Sequence, residues 1–415
     1  MEDNGEGMLS PYRVLDLTDE KGLLCGKLLG DMGADVIKVE PPRGSPARNM
    51  GPFYHDEPDW RKSLVWFAQN TSKRGITLDI ETVDGQELFR QLVRTSDFVV
   101  ESFAPGYMDR LGLGYADLEN VNPGVIMISI TPFGQTGPHR DFKGPEIVSW
   151  AMCGFMSGRG DADRPPVMVT HHPQTYLHAG VEGAVGAMLA LYDRWTTGEG
   201  QHVDVSIQES GGRGTAPVGW ALTRVRMPRG IGQAGTAGLR TTYTWPCKDG
   251  YILFFYATGA QGVRVSRPLV EWMEEEGMSD EFLSGIDWAT FDLRQATQDT
   301  VDRMTETTRR FFMSHTKAEL FEGAVKRRIL LYPVNTAADI LDSPQLAARD
   351  FWREIEHPEL GVTITYPGPF ANASGTPLRL SRRAPLIGEH NAEIYCGELG
   401  LSREELVILK QAGVI

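Results

Sequence analysis

Residues 12–40 read YRVLDLTDEKGLLCGKLLGDMGADVIKVE. Tyr12 to Leu17 and Ala34 to Glu40 are strand-like runs, and the segment from about Gly22 to Met32 between them has the spacing of a helix. A strand, a helix and a second strand in this order form the unit from which parallel sheets are built by right-handed crossovers. This stretch therefore predicts an α/β fold with a parallel sheet.

The same alternation continues along the first half of the chain and indicates a Rossmann-like domain. The turn after the first strand, Thr18 to Gly22, lacks the glycines of a G-x-G-x-x-G fingerprint, so an NAD-dependent dehydrogenase is not predicted. The further predicted elements are strands at Ile76 to Ile80, Phe98 to Glu101, Val125 to Ile130 and Gln201 to Ser206, and helices at Asp84 to Arg94 and Leu177 to Trp195.

After Ser210 the composition shifts to glycine and arginine as far as about Leu239, which predicts a linker with a mobile loop. A compact section follows, with a strand from Tyr251 to Tyr256 and mostly helix up to Arg328. The tail ends in a helix predicted at Ser402 to Gln411. At 415 residues the chain is long for one core, so two domains are expected.

Bulk composition limits the partners of the chain. A formal net charge of −14 argues against a general nucleic-acid binder, and the longest apolar-rich run, near Ala184 to Leu191, is too short to span a membrane. The first residues lack the features of a secretory signal. The four cysteines are scattered, as expected of reduced thiols. We therefore expect a soluble cytoplasmic protein.

Many segments together resemble the family III CoA transferases, the group that contains formyl-CoA transferase and carnitine-type CoA transferases. Their order and their spread over nearly the whole chain make the resemblance specific. The segments are Gly33 to Glu40, Lys73 to Asp79, Val100 to Gly106, Asp109 to Tyr115, Phe133 to Pro138, Thr197 to Val205, Pro333 to Asn335, Ser343 to Leu346, Glu356 to Pro358 and Leu386 to His390.

The resemblance implies an α/β architecture with a large Rossmann-like domain and a smaller α/β domain. Each subunit would form an open ring, and two rings would interlock into a dimer. The expected boundaries are 10–210 for the first part of the large domain, 211–240 for the linker and Gly-rich loop, 241–330 for the small domain, and 331–415 for a C-terminal return to the large domain.

Coenzyme A is the expected substrate, as a thioester, with no tightly bound cofactor. Its phosphates require cations and backbone donors. The resemblance implies that four cations contact these phosphates, namely Lys73, Arg74, Arg110 and Lys143. A solvated surface cation is the alternative for each. One arginine of the family falls here at Pro41 or Pro42, with Arg43 adjacent.

In this family an aspartate attacks the acyl-CoA thioester and forms a mixed anhydride, which is nucleophilic catalysis. Counting back from Thr197 without a gap places that aspartate at Tyr176, and no Asp or Glu lies between Arg164 and Val181. A phenol is mostly protonated near neutral pH and is a poor replacement. Glu146, which matches an acidic residue that assists the nucleophile in some members, is a weak substitute.

Other features of the same region have simpler explanations. Gln174, His178 and Glu182 are four residues apart, so they predict either a His–Glu proton-transfer pair or, as we favour, a polar patch at a subunit contact. His171 and His172 lack further ligands nearby, so no metal site is predicted. Pro145 stands where the racemase branch has its histidine, which disfavours racemisation. Arg229 to Gly238 roughly matches a closing glycine loop.

The resemblance thus implies a subunit of an acyl-CoA:carboxylate CoA-transferase that lacks its own nucleophile and works with a homologous, aspartate-bearing subunit. Within the family it resembles the non-catalytic subunit of the type of enzyme that moves CoA from succinyl-CoA to benzylsuccinate in aromatic degradation. Two alternatives stay open. One is a self-sufficient homodimer that catalyses transfer, isomerisation or hydrolysis through another residue, and the other is a CoA-binding scaffold without turnover.

Overall fold

The computed structural model describes residues 7–160, 164–170, 172–214 and 239–415. Their contacts divide the chain into two compact units. The first takes its described residues from Met1–Phe155, Thr170–Val218 and Leu346–Ile415, and the second from Met156–Val169 and Gly219–Gln345. The loop at Arg229 to Gly238 lies outside the described residues, as does His171.

The first unit is built on a six-stranded parallel sheet with the strand order β3-β2-β1-β4-β5-β6. The order reverses between β1 and β4, as in doubly wound α/β proteins. A separate antiparallel hairpin, β10–β11, belongs to the same unit. The bounds are β1 Arg13–Asp16, β2 Asp35–Glu40, β3 Lys73–Thr77, β4 Phe98–Glu101, β5 Ile126–Thr131, β6 His202–Ser206, β10 Trp352–His357 and β11 Val362–Pro367.

Helices and short helical turns connect and cover these strands. The α-helices of the first unit are α1 Leu23–Asp31, α2 Leu64–Gln69, α3 Val83–Val93, α4 Tyr107–Arg110, α5 Tyr115–Val121, α6 Glu146–Met152, α7 Gln174–Thr197, α8 Ile207–Gly214, α14 Pro344–Ala348 (mostly in this unit) and α15 Arg403–Gln411. Turns of 3-10 helix lie at Pro46–Asn49, Tyr54–Asp56 and Phe155–Gly158, and a π-helix at Ala392–Glu398.

Alternate residues of the strands supply two hydrophobic clusters, one for each face of the sheet. Leu15, Ile37 and Val99 pack with α3 and α5, whereas Val14 and Val36 pack with α1 and α7. Both faces are buried because helices cover them, which explains why these strands are nearly continuous apolar runs. The predicted mixed α/β fold with a parallel sheet is confirmed.

Most predicted elements are present within a few residues, and β4 has the predicted bounds. One strand was predicted wrongly: the strand expected at Ile76 to Ile80 starts at Lys73 and ends at Thr77. Lys73 and Arg74 therefore lie inside β3 rather than before it. The physical reason is that both side chains have acidic partners elsewhere in the chain, which allows charged residues to enter a buried strand.

The second unit contains a three-stranded antiparallel sheet, β7-β8-β9, with strands Thr244–Cys247, Gly250–Phe254 and Leu331–Pro333. Because β9 pairs with β8, Leu331 lies in this unit, beyond the boundary expected at residue 330. Its helices are α9 Gly259–Glu275, α10 Glu281–Ser284, α11 Gln298–Met313, α12 Lys317–Arg327 and α13 Ala337–Leu341, with a 3-10 turn at Leu293–Gln295.

The core of the second unit is aromatic, with Trp245, Phe254, Trp272, Phe311 and Phe312 all buried. Within the part of the chain that the structure describes, no helix combines the length and the apolar character needed to cross a bilayer.

Candidate active-site region at the start of helix α7

Tyr176 lies in the first turn of α7 and is buried, with 7% of its surface exposed. Its hydroxyl donates a hydrogen bond to the Gly144 carbonyl oxygen over 3.1 Å. Burial, and then the negative charge of Glu146, raise the pKa of this phenol above its usual range. Tyr176 is therefore a neutral, hydrogen-bonded core residue at neutral pH, and it is a poor nucleophile.

Glu146 caps the amino end of α7 from a distance of 29 residues in the sequence. The Ncap residue of α7 is Pro173, which supplies no side-chain cap. The Glu146 carboxylate accepts the Thr175 backbone N–H over 2.9 Å and also the Thr175 hydroxyl. The Trp150 indole N–H binds the same carboxylate over 2.7 Å. The first turn of a helix leaves N–H groups unpaired, so this carboxylate has a clear structural task.

Two of the three polar residues predicted on one face of α7, His178 and Glu182, have different neighbours. Glu182 accepts the Ser210 hydroxyl over 2.7 Å and Arg213 Nη1 over 2.7 Å, both from α8. The His178 ring lies edge-on to Phe155, with 5.9 Å between ring centroids. These contacts connect Glu182 to α8 instead of to His178.

A second face of α7 is apolar and exposed. Val181, Val185, Leu189, Tyr192 and Trp195 follow one another at intervals of three or four residues, and their exposed fractions run from 44% to 69%. We call these five residues the α7 stripe. A contiguous apolar patch of this kind typically marks a protein–protein contact.

The four predicted CoA-contacting cations differ in burial: Arg110 and Lys143 are exposed, whereas the other two are buried. Arg110 ends α4, after β4, and Lys143 lies after β5, and both are exposed. Both therefore lie on connections that leave the carboxyl ends of strands, where open α/β sheets bind their ligands. Arg43, next to the displaced family arginine, is also exposed and follows β2.

Lys73 lies at the amino end of β3 and is fully buried. Its three N–H donors have three acceptors: Asp16 at 2.7 Å, the Leu23 carbonyl at 2.8 Å and the Asn70 side chain at 3.0 Å. Burial lowers the pKa of Lys73 to about 8, although Asp16 opposes the shift. Lys38 also binds Asp16, and the two lysines outweigh burial and hold the pKa of Asp16 at about 2.

Arg74 is also committed to protein carboxylates. It holds Asp35 through Nε and Nη2, and its Nη1 binds Glu393 at 2.6 Å and Glu398 at 2.5 Å. These bonds join β3 to the π-helix near the C-terminus. The ion pairs of Lys73 and Arg74 do not favour a direct contact with CoA, which stays a prediction for both.

Sequence reasoning did not single out the residues where the strand order reverses. Asp19 and Ser102 follow β1 and β4, and they are joined by two hydrogen bonds of 2.8 and 2.7 Å. Glu101 ends β4, and burial raises its pKa to about 7. The signal that could have identified them is their position at the carboxyl ends of the two strands predicted to be central.

Among the described residues, His, Cys, Asp and Glu side chains form no group of three or more that could hold a metal ion. The candidate site consists of the start of α7 and the connections at the carboxyl edge of the sheet.

Comparison with known proteins connects this geometry to one family. The sequence profile of CoA-transferase family III matches residues 9–391. Succinyl-CoA:(R)-benzylsuccinate CoA-transferase subunit BbsE of Thauera aromatica is 37% identical over 413 residues, covering 98% of each chain. Formyl-CoA:oxalate CoA-transferase of Streptomyces avermitilis is 33% identical over 429 residues, covering 98% of this chain and 99% of the relative.

A solved structure shares the fold as well. The crystal structure of a CAIB/BAIF family protein from Brucella suis superimposes with a TM-score of 0.79 and 28% sequence identity, covering 94% of this chain and 99% of that one. Profile, sequence identity over full length and fold all agree: the chain belongs to CoA-transferase family III.

Proposed function

We propose that this chain is one subunit of an acyl-CoA:carboxylate CoA-transferase that moves CoA from succinyl-CoA to an aromatic or dicarboxylic acid such as benzylsuccinate. A homologous subunit supplies the nucleophilic aspartate, and this chain does not. The expectation of a cytoplasmic protein, drawn from its scattered cysteines, is part of this proposal.

The observation that carries the proposal is the burial of Tyr176 against Gly144 at the family's nucleophile position. Formation of a mixed anhydride requires an oxygen anion of a carboxylate that can reach the thioester carbonyl. A phenol whose pKa is raised by burial offers no such anion near neutral pH.

The carboxylates near Tyr176 are already engaged in structural hydrogen bonds, which supports the absence of a nucleophile in this chain. Glu146 holds the first turn of α7 with two hydrogen bonds and accepts a third from Trp150 of its own helix, so its attack on a thioester would uncap α7. Glu182 is held by Ser210 and Arg213. These bonds argue against the self-sufficient alternative in which another acid replaces the aspartate.

The α7 stripe supports a partner subunit. It begins five residues after Tyr176 on the same helix, so a chain that covers it would lie close to the position of the missing carboxylate. A relative named as a subunit, BbsE, fits a heteromer. We propose the interlocked ring dimer of the family as the form of this assembly.

For CoA itself we propose Arg110 and Lys143 as the phosphate-contacting cations. They are exposed and lie at the carboxyl edge of the sheet, so they can approach an anion without giving up a buried ion pair. Lys73 and Arg74 would instead stabilise the sheet beneath that edge.

The experiment compares the purified chain, the chain co-expressed with an aspartate-bearing homologue, and the same pair with that aspartate changed to asparagine. Transfer of CoA from succinyl-CoA to benzylsuccinate is measured by chromatography of the thioesters. We expect turnover only in the second sample. Turnover by the chain alone would establish the self-sufficient alternative, and CoA binding without turnover in any sample would establish the scaffold.

A further inference from the structure

The second unit has a half-open cavity of about 270 Å³ between its sheet and α11. Its walls include the rings of Tyr243, Trp245, Phe255 and Tyr256, and Met304 of α11 contributes a buried apolar surface. The cavity is assigned to no step by the proposal above, which concerns the first unit.

The volume selects the size of the occupant. An apolar cavity of about 150 Å³ is enough to bind benzene, whereas sites for whole drug-sized ligands run from about 300 to 1,000 Å³. A cavity of about 270 Å³ therefore accommodates one ring with a short substituent, and a larger ligand would extend out through its opening.

The lining selects the chemistry of the occupant. Phe255 is 37% exposed, and its ring centroid lies 6.5 Å from that of Tyr243, so the Phe255 ring has solvent-facing surface for offset or edge-to-face packing with another ring. Trp288 already stacks on Tyr256 at 5.2 Å and holds that wall in place. The aromatic walls favour a flat ring, and four threonines, Thr241, Thr242, Thr258 and Thr305, also line the cavity.

The charges of the lining are already paired. Asp292 and Arg294 also line the cavity, and Arg294 holds Asp292 through Nε at 3.0 Å and Nη2 at 2.9 Å. The Arg294 side chain is 69% exposed, which puts this ion pair on the solvent side. A carboxylate or phosphate deep in the cavity would therefore find no uncommitted cation among the described lining residues. Thr241, another lining residue, has a buried hydroxyl without a hydrogen-bond partner in the described structure.

We infer that this cavity binds the aromatic ring of the carboxylic acid that receives CoA, with the carboxylates of that acid outside the cavity. The inference rests on the proposed function for the identity of the acid. It adds that this chain, through its second unit, selects ring-bearing acids over aliphatic ones.

Benzylsuccinate and succinate are matched probes because they share two carboxylates and differ by the benzyl group. Calorimetric titration of the full chain with each acid measures what the ring contributes. We expect benzylsuccinate to bind at least about tenfold more tightly, as burial of a ring predicts. Equal affinities would overturn the inference.

Two variants of α11 localise the effect. Thr305→Phe adds a ring at a lining position and fills the cavity, whereas Glu306→Phe adds the same ring at the next, exposed position, which does not line it. We expect Thr305→Phe to abolish the preference for benzylsuccinate and Glu306→Phe to preserve it. A preference that survives in a folded Thr305→Phe chain would contradict the inference, and Phe255→Ala, expected to weaken ring binding about tenfold, provides a second test if Thr305→Phe does not fold.

Failure of the inference and failure of the proposed function are distinguishable. Ring-selective binding without CoA transfer in the complex would remove the proposed function and keep the cavity assignment. Transfer with no ring selectivity would keep the function and remove the cavity assignment.

Discussion

The Glu146 carboxylate and Thr175 are joined by two hydrogen bonds, one to the backbone N–H and one to the hydroxyl of Thr175. Because Thr175 precedes Tyr176, this carboxylate fixes the turn that carries the residue at the nucleophile position. It lies close to that position and acts as a helix cap.

Replacing Glu146 separates a capping role from a nucleophilic one. Glu146→Ala leaves the Thr175 N–H and the Trp150 indole unpaired, so we expect the free energy of unfolding to fall by about 1–3 kcal/mol. Glu146→Gln keeps an acceptor and should lose about 1 kcal/mol or less. Denaturant titration measures both, and the complex with Glu146→Gln should retain transfer. Loss of all transfer in a stable Glu146→Gln complex would indicate a chemical role.

Tyr176→Phe removes only the hydroxyl that binds Gly144. We expect a loss of about 1 kcal/mol in the free energy of unfolding, typical of one buried hydrogen bond, and an unchanged rate of transfer by the complex. A large fall in kcat with unchanged thermal stability would show that the phenol takes part in the reaction.

The buried lysines and the exposed cations should respond differently to substitution. Arg110→Ala and Lys143→Ala should each weaken CoA binding about tenfold, as loss of a charge-assisted bond predicts, with little change in Tm.

Asp16→Asn leaves Lys38 and Lys73 without their carboxylate, which should cost about 3–5 kcal/mol of stability. Calorimetry and thermal unfolding measure the two effects. A Lys73→Met chain that keeps its Tm but loses CoA would restore Lys73 as a contact.

Glu101 predicts a pH dependence of stability. Its pKa is about 7 in the folded chain against an ordinary value of 4.5, so the folded state binds more protons between these pH values. Stability therefore falls as pH rises through this window. Relative to Glu101→Gln, which cannot ionise, the wild type should lose about 3 kcal/mol between pH 4.5 and pH 8. A difference that is constant across pH would contradict this prediction.

The α7 stripe predicts the effect of a charge on assembly. Leu189→Asp should prevent co-purification with the aspartate-bearing subunit, because burying an unpaired carboxylate in a contact is costly. Thr197→Asp, at the exposed last residue of the same helix and on a different helix face, is the matched control. Size-exclusion chromatography with light scattering measures the outcome. Normal assembly by Leu189→Asp would place the partner elsewhere.

Local patterns predicted the fold well because parallel strands and their helices have short, regular signatures. β4 has its predicted bounds, and α7 extends by a few residues at each end. β3 was misplaced because Lys73 and Arg74 are compatible with a buried strand only through Asp16 and Glu398, which are distant in sequence. The Glu146–Thr175 cap was beyond sequence reasoning for the same reason: it depends on the folded distance between α6 and α7.

The most direct test of the central claim is intact-mass spectrometry of the reconstituted complex, trapped during turnover with succinyl-CoA. We expect a covalent acyl or CoA adduct on the aspartate-bearing subunit and an unmodified mass for this chain. An adduct on an acidic residue of this chain would contradict it.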